Sequence, residues 1–513
     1  MPPSVRPRSL TLALFVFALA ACSALVFLRP GARVYNWPVI DDGYYALSVS
    51  HYLADGQGLT IDGTHPTNGF QPLWVVLCAP LFWLAHGNLE TAVRLVLVLA
   101  WITWLAWAAL AGALARRVLG PAFGPGLPSI FLVAMLLQLA SVFAFGESFN
   151  GLETALAAAF VAGALLYYFT LDHRAPAAQI GCGLLLGLMV LARVDTAILV
   201  VFLACARLFR PGPLAARLAG FLRISVPAFL VSSPWWAYNL LQFGHLMPSS
   251  GRALQDWHFS VARFETSFHS LLVWFTSNLY VPRWDGLLLS LVRLLVLAAA
   301  LFLVRHRLKK ISATLDRSAR EALACAALYF IFLALWYPAY SWATFFYPRY
   351  LAGALLFSTL LWTAVFLELY PRAPRLLSLA LPALLLLRFA TFSLTTDQPG
   401  ALAYSPCLAD QLPLVLQHVP ADERVAAGQT GTLGFLRPNV VNLDGRVNAD
   451  ALAYQNDMPA YLRQSRIRWV ADRADLIDER HYLGPDPAAA GWKLVARQND
   501  FVLYEYAPIP PAR

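Results

Sequence analysis

Two adjacent carboxylates, Asp41 and Asp42, open the stretch Asp41-Asp42-Gly43-Tyr44-Tyr45, shortly after the first long apolar run of the chain. Like charges placed side by side repel unless water, a cation or a hydrogen-bond donor relieves them. Such a pair either serves chemistry or caps a helix that begins near Gly43. Ser48, His51 and Tyr52 follow, and then a polar loop runs from Asp62 through His65 and Asn68 to Trp74. A plain link between apolar segments needs no such density of acidic, aromatic and amide groups. The chemistry it could support is proton abstraction from an attacking hydroxyl or the holding of a cation.

The elements that must position this pair are set by composition. Of 513 residues, 59% are hydrophobic and 13% charged, against about 45–50% and 25% in soluble domains. A chain of this kind cannot hide its apolar surface in one soluble core, so the fold class is a polytopic α-helical membrane protein. The formal net charge of +9 is no signal for nucleic acid, because the Lys and Arg residues fall in short clusters between apolar runs, as the positive-inside rule predicts. The cysteines, Cys22, Cys78, Cys182, Cys205, Cys325 and Cys407, have no metal or redox spacing. Leu19-Ala20-Ala21-Cys22 resembles a lipoprotein cleavage site. The apolar run continues to Leu28, however, about 19 residues and enough to span, so it reads as an uncleaved first helix.

Arg6 and Arg8 place the N-terminus in the cytoplasm and residues 29–90 outside as a first periplasmic loop with interfacial helices. Residues 70–86 are short and carry Pro72 and Pro80. If they lie in the outer interface rather than cross, Arg116-Arg117 and every later basic cluster fall inside. The expected spans are then 10–28, 91–115, 128–146, 153–170, 177–192, 195–209, 219–241, 286–304, 321–338, 349–367 and 376–392, about 11 helices. After residue 393 the character changes. Short apolar runs at 424–428, 440–444, 468–472, 493–496 and 501–506 read as strands, with helices over 406–417 and 448–465. The expected organisation is a transmembrane domain over 1–393 and a small soluble α/β domain over 394–513 on the outer face of the membrane.

On this topology a set of polar residues gathers at the outer helix ends, although charges at a bilayer cost about 2.5–3.5 kcal/mol each at its centre. Glu147 and Glu153 flank Ser148-Phe149-Asn150-Gly151-Leu152, and Arg193 and Asp195 share one turn. Tyr238, Asn239, His245, Ser249, Ser250 and Arg252 follow one span; Tyr347, Arg349 and Tyr350 begin another, and Arg388 ends the last. Singly, each has an ordinary reading: Glu153 favours a helix N-terminus, Arg193 and Asp195 make a local ion pair, and Arg252 and Arg349 snorkel. Those readings do not explain why the set converges on the face that carries Asp41-Asp42. Acids and arginines together suit a site that binds an anion and also needs a base or a metal.

Asp41-Asp42-Gly43-Tyr44-Tyr45, Asn68-Gly69-Phe70-Gln71-Pro72-Leu73-Trp74, Arg116-Arg117-Val118-Leu119-Gly120, Gly151-Leu152-Glu153-Thr154-Ala155-Leu156, Pro348-Arg349-Tyr350-Leu351 and Val441-Asn442-Leu443-Asp444-Gly445 together resemble the GT-C class of membrane glycosyltransferases. The likeness is nearest to bacterial relatives of the aminoarabinose, protein mannosyl- and arabinofuranosyl-transferases and covers nearly the whole chain. It implies inverting transfer of a sugar from a polyprenyl-phosphate donor to a hydroxyl of a lipid, glycan or protein acceptor. Asp41, then Asp42, is the implied base. Tyr44, Tyr45, His65, Asn68, Glu147, Glu153, Arg193, Asp195, His245, Ser249, Arg252, Arg349 and Tyr350 are the expected substrate-binding residues, with Arg349 on the donor phosphate. No cofactor is demanded; a divalent cation on Asp41, Asp42 and Glu153 is compatible with the acids, but no ligand spacing requires one. The competing readings are a transporter or flippase, which would show paired repeats and broken midplane helices, and a non-catalytic envelope glycan assembly protein.

Overall fold

The computed structural model describes residues 34–124, 127–171, 175–278, 287–380, 383–384, 387 and 405–507. The expected first span, Arg388 and much of the expected last span lie outside them. Five described helices are long and apolar enough to cross a membrane, and a sixth span arises if one bent pair is counted together. The protein is thus a multi-pass membrane protein of mostly helical structure. Helix Leu89–Leu119 shows the local logic: Asn88 accepts from the Thr91 amide at 2.9 Å, Glu90 sits in its first turn, and Arg116 and Arg117 sit in its last. Charges so placed complement the helix dipole. Its 31 residues reach about 46 Å at 1.5 Å per residue, beyond the roughly 30 Å hydrocarbon core.

Lipid offers no hydrophobic drive between helices, so close packing and internal hydrogen bonds hold the bundle. Gly183 and Gly187 let helix Pro176–Ala192 touch helix Leu214–Phe243: an added Cβ would stand 2.4 Å from the Ile224 carbonyl oxygen or 2.6 Å from the Val231 Cβ. The 128–146 run is one bent pair, Ile130–Leu139 and Val142–Phe149, turned by 68°. Side chains satisfy the region of the break. Asn278 Nδ2 donates to the Leu137 carbonyl at 2.8 Å, Ser141 and Ser277 hydroxyls meet at 3.1 Å, and Thr359 Oγ1 donates to Gln138 Oε1 at 2.6 Å. The sequence reading placed nothing between 242 and 285, yet Val261–Thr276 is a helix packed on Arg317–Tyr340 and Leu355–Leu369. Its Arg263, Ser267 and Ser270 are buried in the bundle, which is why no apolar run announced it.

The first-loop elements lie across the helix ends. Helix Pro72–Leu84 has 13 residues, about 20 Å, short of a span. Helix Asp41–Ala54 packs beside it and against the 150–151 turn: Trp74 Nε1 donates to the Gly151 carbonyl at 2.8 Å, and a Cβ on Gly43 would come within 2.2 Å of the Asn150 carbonyl oxygen. In the tail, β1 (Val425–Ala427), β2 (Val440–Asn442), β3 (Trp469–Arg473), β4 (Trp492–Gln498) and β5 (Phe501–Tyr506) form one sheet in the order β2-β1-β3-β5-β4. β1 pairs in parallel with β2 and β3, while β5 runs antiparallel to β3 and β4. The expected helix over 448–465 is two, Ala449–Ala453 and Met458–Gln464, because Asp457 caps the second through the Ala460 amide at 3.1 Å. Gly431–Leu436 is a further short helix that the sequence did not signal.

Gly43→Ala forces helix Asp41–Ala54 off the 150–151 turn. It should lower the stability of the detergent-purified protein by about 1–3 kcal/mol, the usual cost of overpacking. Gly163→Ala, whose added Cβ would meet Leu110 at an ordinary 3.5 Å, should be neutral or slightly stabilising. Thermal unfolding of both variants checks the contrast.

Candidate active site

The two acids of the first turn of helix Asp41–Ala54 point to different partners. Asp41 Oδ1 accepts from the Thr432 amide at 2.7 Å and Asp41 Oδ2 from the Gly431 amide at 3.2 Å. Burial raises its pKa, and those two amides only partly offset the rise. Asp42 Oδ1 instead meets Arg446 Nη1 at 3.0 Å, and Arg446 Nε reaches Asp444 Oδ2 at 3.3 Å. Burial opposes the charge on Arg446, but Asp444 and Asp42 outweigh it and its pKa is raised. Burial also raises Asp444, with Arg446 pulling the other way.

Phe346 joins this triad to a second arginine. The Arg446 guanidinium lies 5.4 Å from the ring centroid of Phe346 and the Arg349 guanidinium 4.8 Å from it; Arg349 is also 5.4 Å from the centroid of Tyr350. Among the described residues no carboxylate stands within ion-pair distance of Arg349, and its Nε is buried without a hydrogen-bond partner. Arg193, by contrast, is saturated. Its Nη2 is 3.0 Å from Asp195 Oδ2, its Nη1 is 3.9 Å from Glu153 Oε1, and Nη1 donates to the Arg349 carbonyl at 3.2 Å. Tyr337 and Tyr329 hydroxyls donate to Asp195 at 2.7 and 3.3 Å, and Tyr337 stacks on Tyr350 at 4.0 Å. Arg193 thereby fixes the backbone that carries Arg349. An arginine with no acidic partner, next to one already balanced by two acids, can accept one more negative charge. Its planar fork suits the oxygens of a phosphate.

The remaining expected residues divide. Tyr45 donates to the Gly428 carbonyl at 3.2 Å and lies 3.5 Å from Asp444 Oδ2, so it belongs to the cluster. Asn68 is structural support: it donates to Asn239 at 3.0 Å and accepts from the Ser249 amide at 2.9 Å, while Ser249 Oγ donates to the Arg446 carbonyl at 2.7 Å. Tyr44 is buried, with its hydroxyl on the Tyr35 carbonyl at 3.0 Å. His65 pairs with Asp62 inside its own loop at 2.6 Å, and Glu147 accepts from Asn150 at 2.9 Å. His245 is exposed, and neither it nor Arg252 makes a hydrogen bond or ion pair with the cluster. Arg446 and Phe346 were missed. An arginine in a soluble tail is ordinary in sequence, and only its place directly after the quoted Asp444-Gly445 hinted at it. The acids named for a cation, Asp41, Asp42 and Glu153, each face an amide or arginine partner. Among the described residues no group of three or more His, Cys, Asp or Glu side chains is gathered for a metal.

No protein-family model matches the sequence and no curated protein matches it. Solved structures do. ArnT from Cupriavidus metallidurans in the apo state matches over 98% of this chain and 98% of its own, with a TM-score of 0.59 and 14% identity. The same protein bound to undecaprenyl phosphate matches over the same shares at 0.54 and 14%. The archaeal oligosaccharyltransferase AglB from Archaeoglobus fulgidus, in complex with an inhibitory peptide and a dolichol-phosphate, matches over 99% of this chain and 76% of its own at 0.53 and 13%. The chain therefore shares its fold, over nearly its whole length, with ArnT and with this archaeal oligosaccharyltransferase.

Arg446→Met removes the cation from between two carboxylates that are mostly shielded from solvent. It should destabilise the protein by about 3–5 kcal/mol. Asp444 already has its folded pKa above the unfolded value of about 3.9. What its protonation contributes is present below that value and is lost as pH rises through the folded one. Removing Arg446 raises the folded pKa further, so the deficit of the variant should be small at pH 4 and grow towards pH 8. Denaturation midpoints of both proteins across that range test the sign.

Proposed function

We propose that the protein is an inverting glycosyltransferase that moves a sugar from a polyprenyl-phosphate donor to an acceptor hydroxyl at the periplasmic face of a bacterial inner membrane. The observation that carries this reading is Arg349, a guanidinium with no acid within ion-pair distance among the described residues, which shares the Phe346 ring with the Arg446 that pairs with Asp42. A polyprenyl tail of about fifty carbons, at about 0.8 kcal/mol per buried CH₂, cannot leave the bilayer, so the reaction must come to the lipid. A site at the helix ends, between bundle and tail sheet, suits that need.

In the proposed reaction the donor phosphate lies on Arg349 and reaches towards Arg446. A carboxylate of the first turn takes the proton of the acceptor hydroxyl. The acceptor oxygen bonds to the anomeric carbon from the face opposite the phosphate. The bond from that carbon to the phosphate oxygen breaks, and the electron pair leaves with the polyprenyl phosphate, whose growing charge Arg349 stabilises. The sequence ranked Asp41 before Asp42 as base; the geometry favours the reverse. Asp42 pairs with Arg446, whose guanidinium shares the Phe346 ring with Arg349, whereas both Asp41 oxygens face backbone amides of the tail. Among the described residues no three acids gather for a divalent ion, and no step is assigned to one. The acceptor is a hydroxyl of a lipid, glycan or protein.

The same proposal includes residues 1–393 as the catalytic membrane domain, 394–513 as the periplasmic domain, and eleven spans with a cytoplasmic N-terminus. A reporter active only in the periplasm should stay silent when fused after Arg117 and be active when fused after Gln398; the reverse at either point overturns the topology. Transfer of a labelled sugar from polyprenyl phosphate by purified protein tests the chemistry. Asp42→Asn should lower the rate by about 10²–10⁴, the usual contribution of a general base. Arg349→Ala should lower it by about 10²–10³, and Arg349→Lys by less, since it keeps a charge but not the fork. A wild-type rate in Arg349→Ala would remove Arg349 from the site.

A further inference from the structure

Five consecutive backbone amides in the tail, from Gly428 to Thr432, all donate to side chains. Gly428 and Gln429 donate to Asp472 Oδ2 at 2.5 and 3.3 Å. Thr430 donates to the Tyr45 hydroxyl at 3.3 Å, and Gly431 and Thr432 donate to the two oxygens of Asp41 at 3.2 and 2.7 Å. The sheet's own Asp472 thus holds one half of the turn, and the first-loop helix holds the other through Asp41 and Tyr45. Tyr45 closes the grip by donating to the Gly428 carbonyl at 3.2 Å. The approach is close enough that a Cβ on Gly431 would meet the Asp41 carbonyl oxygen at 1.8 Å.

The turn is wired to the cluster. Asn442, at the end of β2, donates to the Gly428 carbonyl at 3.1 Å and to Thr430 Oγ1 at 2.9 Å, and it accepts from the Gly445 amide at 3.2 Å. The next residue is Arg446. We infer that Asp41 is a positioning residue: it clasps the 428–432 turn to the first-loop helix, and through Asn442 this clasp sets Arg446 opposite Asp42. Tyr45 is the second finger of the clasp. Arg446 is also held from outside by Ser249 Oγ on its carbonyl, so weakening the clasp loosens its placement without releasing the tail.

This inference rests on the glycosyl-transfer reading for its kinetic readout, and the experiment keeps the two separable. Thr432→Pro deletes one of the amides that serve Asp41, at a position in the first turn of helix Gly431–Leu436, where proline is tolerated. Purified full-length wild type, Thr432→Pro, Asp41→Asn and the double variant are compared by hydrogen exchange over 428–447 and by sugar transfer from polyprenyl phosphate. If the clasp is right, each single variant exchanges faster over that stretch. The KM for the donor then rises roughly tenfold or more while kcat changes little, because the competent arrangement is less populated until the donor restores it. The double variant should be no worse than the worse single variant, since both lose one interaction. If Asp41 is instead the base, Asp41→Asn loses kcat by about 10²–10⁴ with exchange unchanged, and Thr432→Pro stays near wild type; that result overturns the clasp. Unchanged exchange in both variants overturns it whatever the activity. Faster exchange in a protein whose wild type transfers no sugar leaves the clasp standing and sinks the glycosyl-transfer reading.

Discussion

The site depends on one guanidinium. Arg446 stands between Asp42 and Asp444 where little water reaches, and a charge so placed survives only if opposite charges and hydrogen bonds replace its hydration. The requirement has structural consequences. It fixes helix Asp41–Ala54, which carries Asp42, relative to the loop after β2, which carries Asp444 and Arg446. Among the described residues it leaves no acid within ion-pair distance of Arg349, whose Nε is buried without a hydrogen-bond partner. The cluster is therefore balanced around Arg446 and Arg193 and unbalanced at Arg349, and the proposed phosphate contact rests on that asymmetry.

Support for this arrangement comes from elements that look unrelated in sequence. Arg193 spends its charge on Asp195 and Glu153 and its remaining hydrogen bond on the carbonyl of Arg349. Gln71 Oε1 accepts from the Val194 amide at 3.1 Å, tying the first loop to the same turn. Trp274, on the buried amphipathic helix, donates to the Pro348 carbonyl at 2.6 Å. Each of these bonds satisfies a backbone group that would otherwise be costly to leave unpaired away from water. Together they make the 346–350 segment a fixed platform for Phe346, Arg349 and Tyr350.

Much of the architecture was legible along the chain. Apolar runs separated by arginine clusters marked most of the described helices, but only five of these are long and apolar enough to cross a membrane, and the expected 195–209 span holds a helix of 10 residues, Ala197–Ala206. Period and turn chemistry marked β1 to β5 within a residue or two. Those signals are local: spans follow from the need to satisfy backbone groups inside lipid, and strands from alternation between turns. Val261–Thr276 escaped because its Arg263, Ser267 and Ser270 are buried against other helices, so neither length nor hydropathy separates it from a loop. Gly431–Leu436 escaped because it is only six residues long and is stabilised through partners in the first loop.

The sequence by itself determined that the chain is a membrane protein with a mixed tail. Because charges near a bilayer are too costly to gather without a reason, it grouped Asp41, Asp42, Arg193 and Arg349 on one expected face together with His65, His245 and Arg252, which the structure leaves outside the cluster. Only the tertiary structure decided how the set divides. Asp41 and Asp42 are neighbours with the same side chain, and no local signal can rank them. The bundle and the sheet send one to the amides of Gly431 and Thr432 and the other to Arg446. Nor could sequence show that Arg446 lies beside Asp42: the two are 404 residues apart. Their pairing is a property of desolvated charges brought together by the fold, and such contacts leave no periodic trace in the chain.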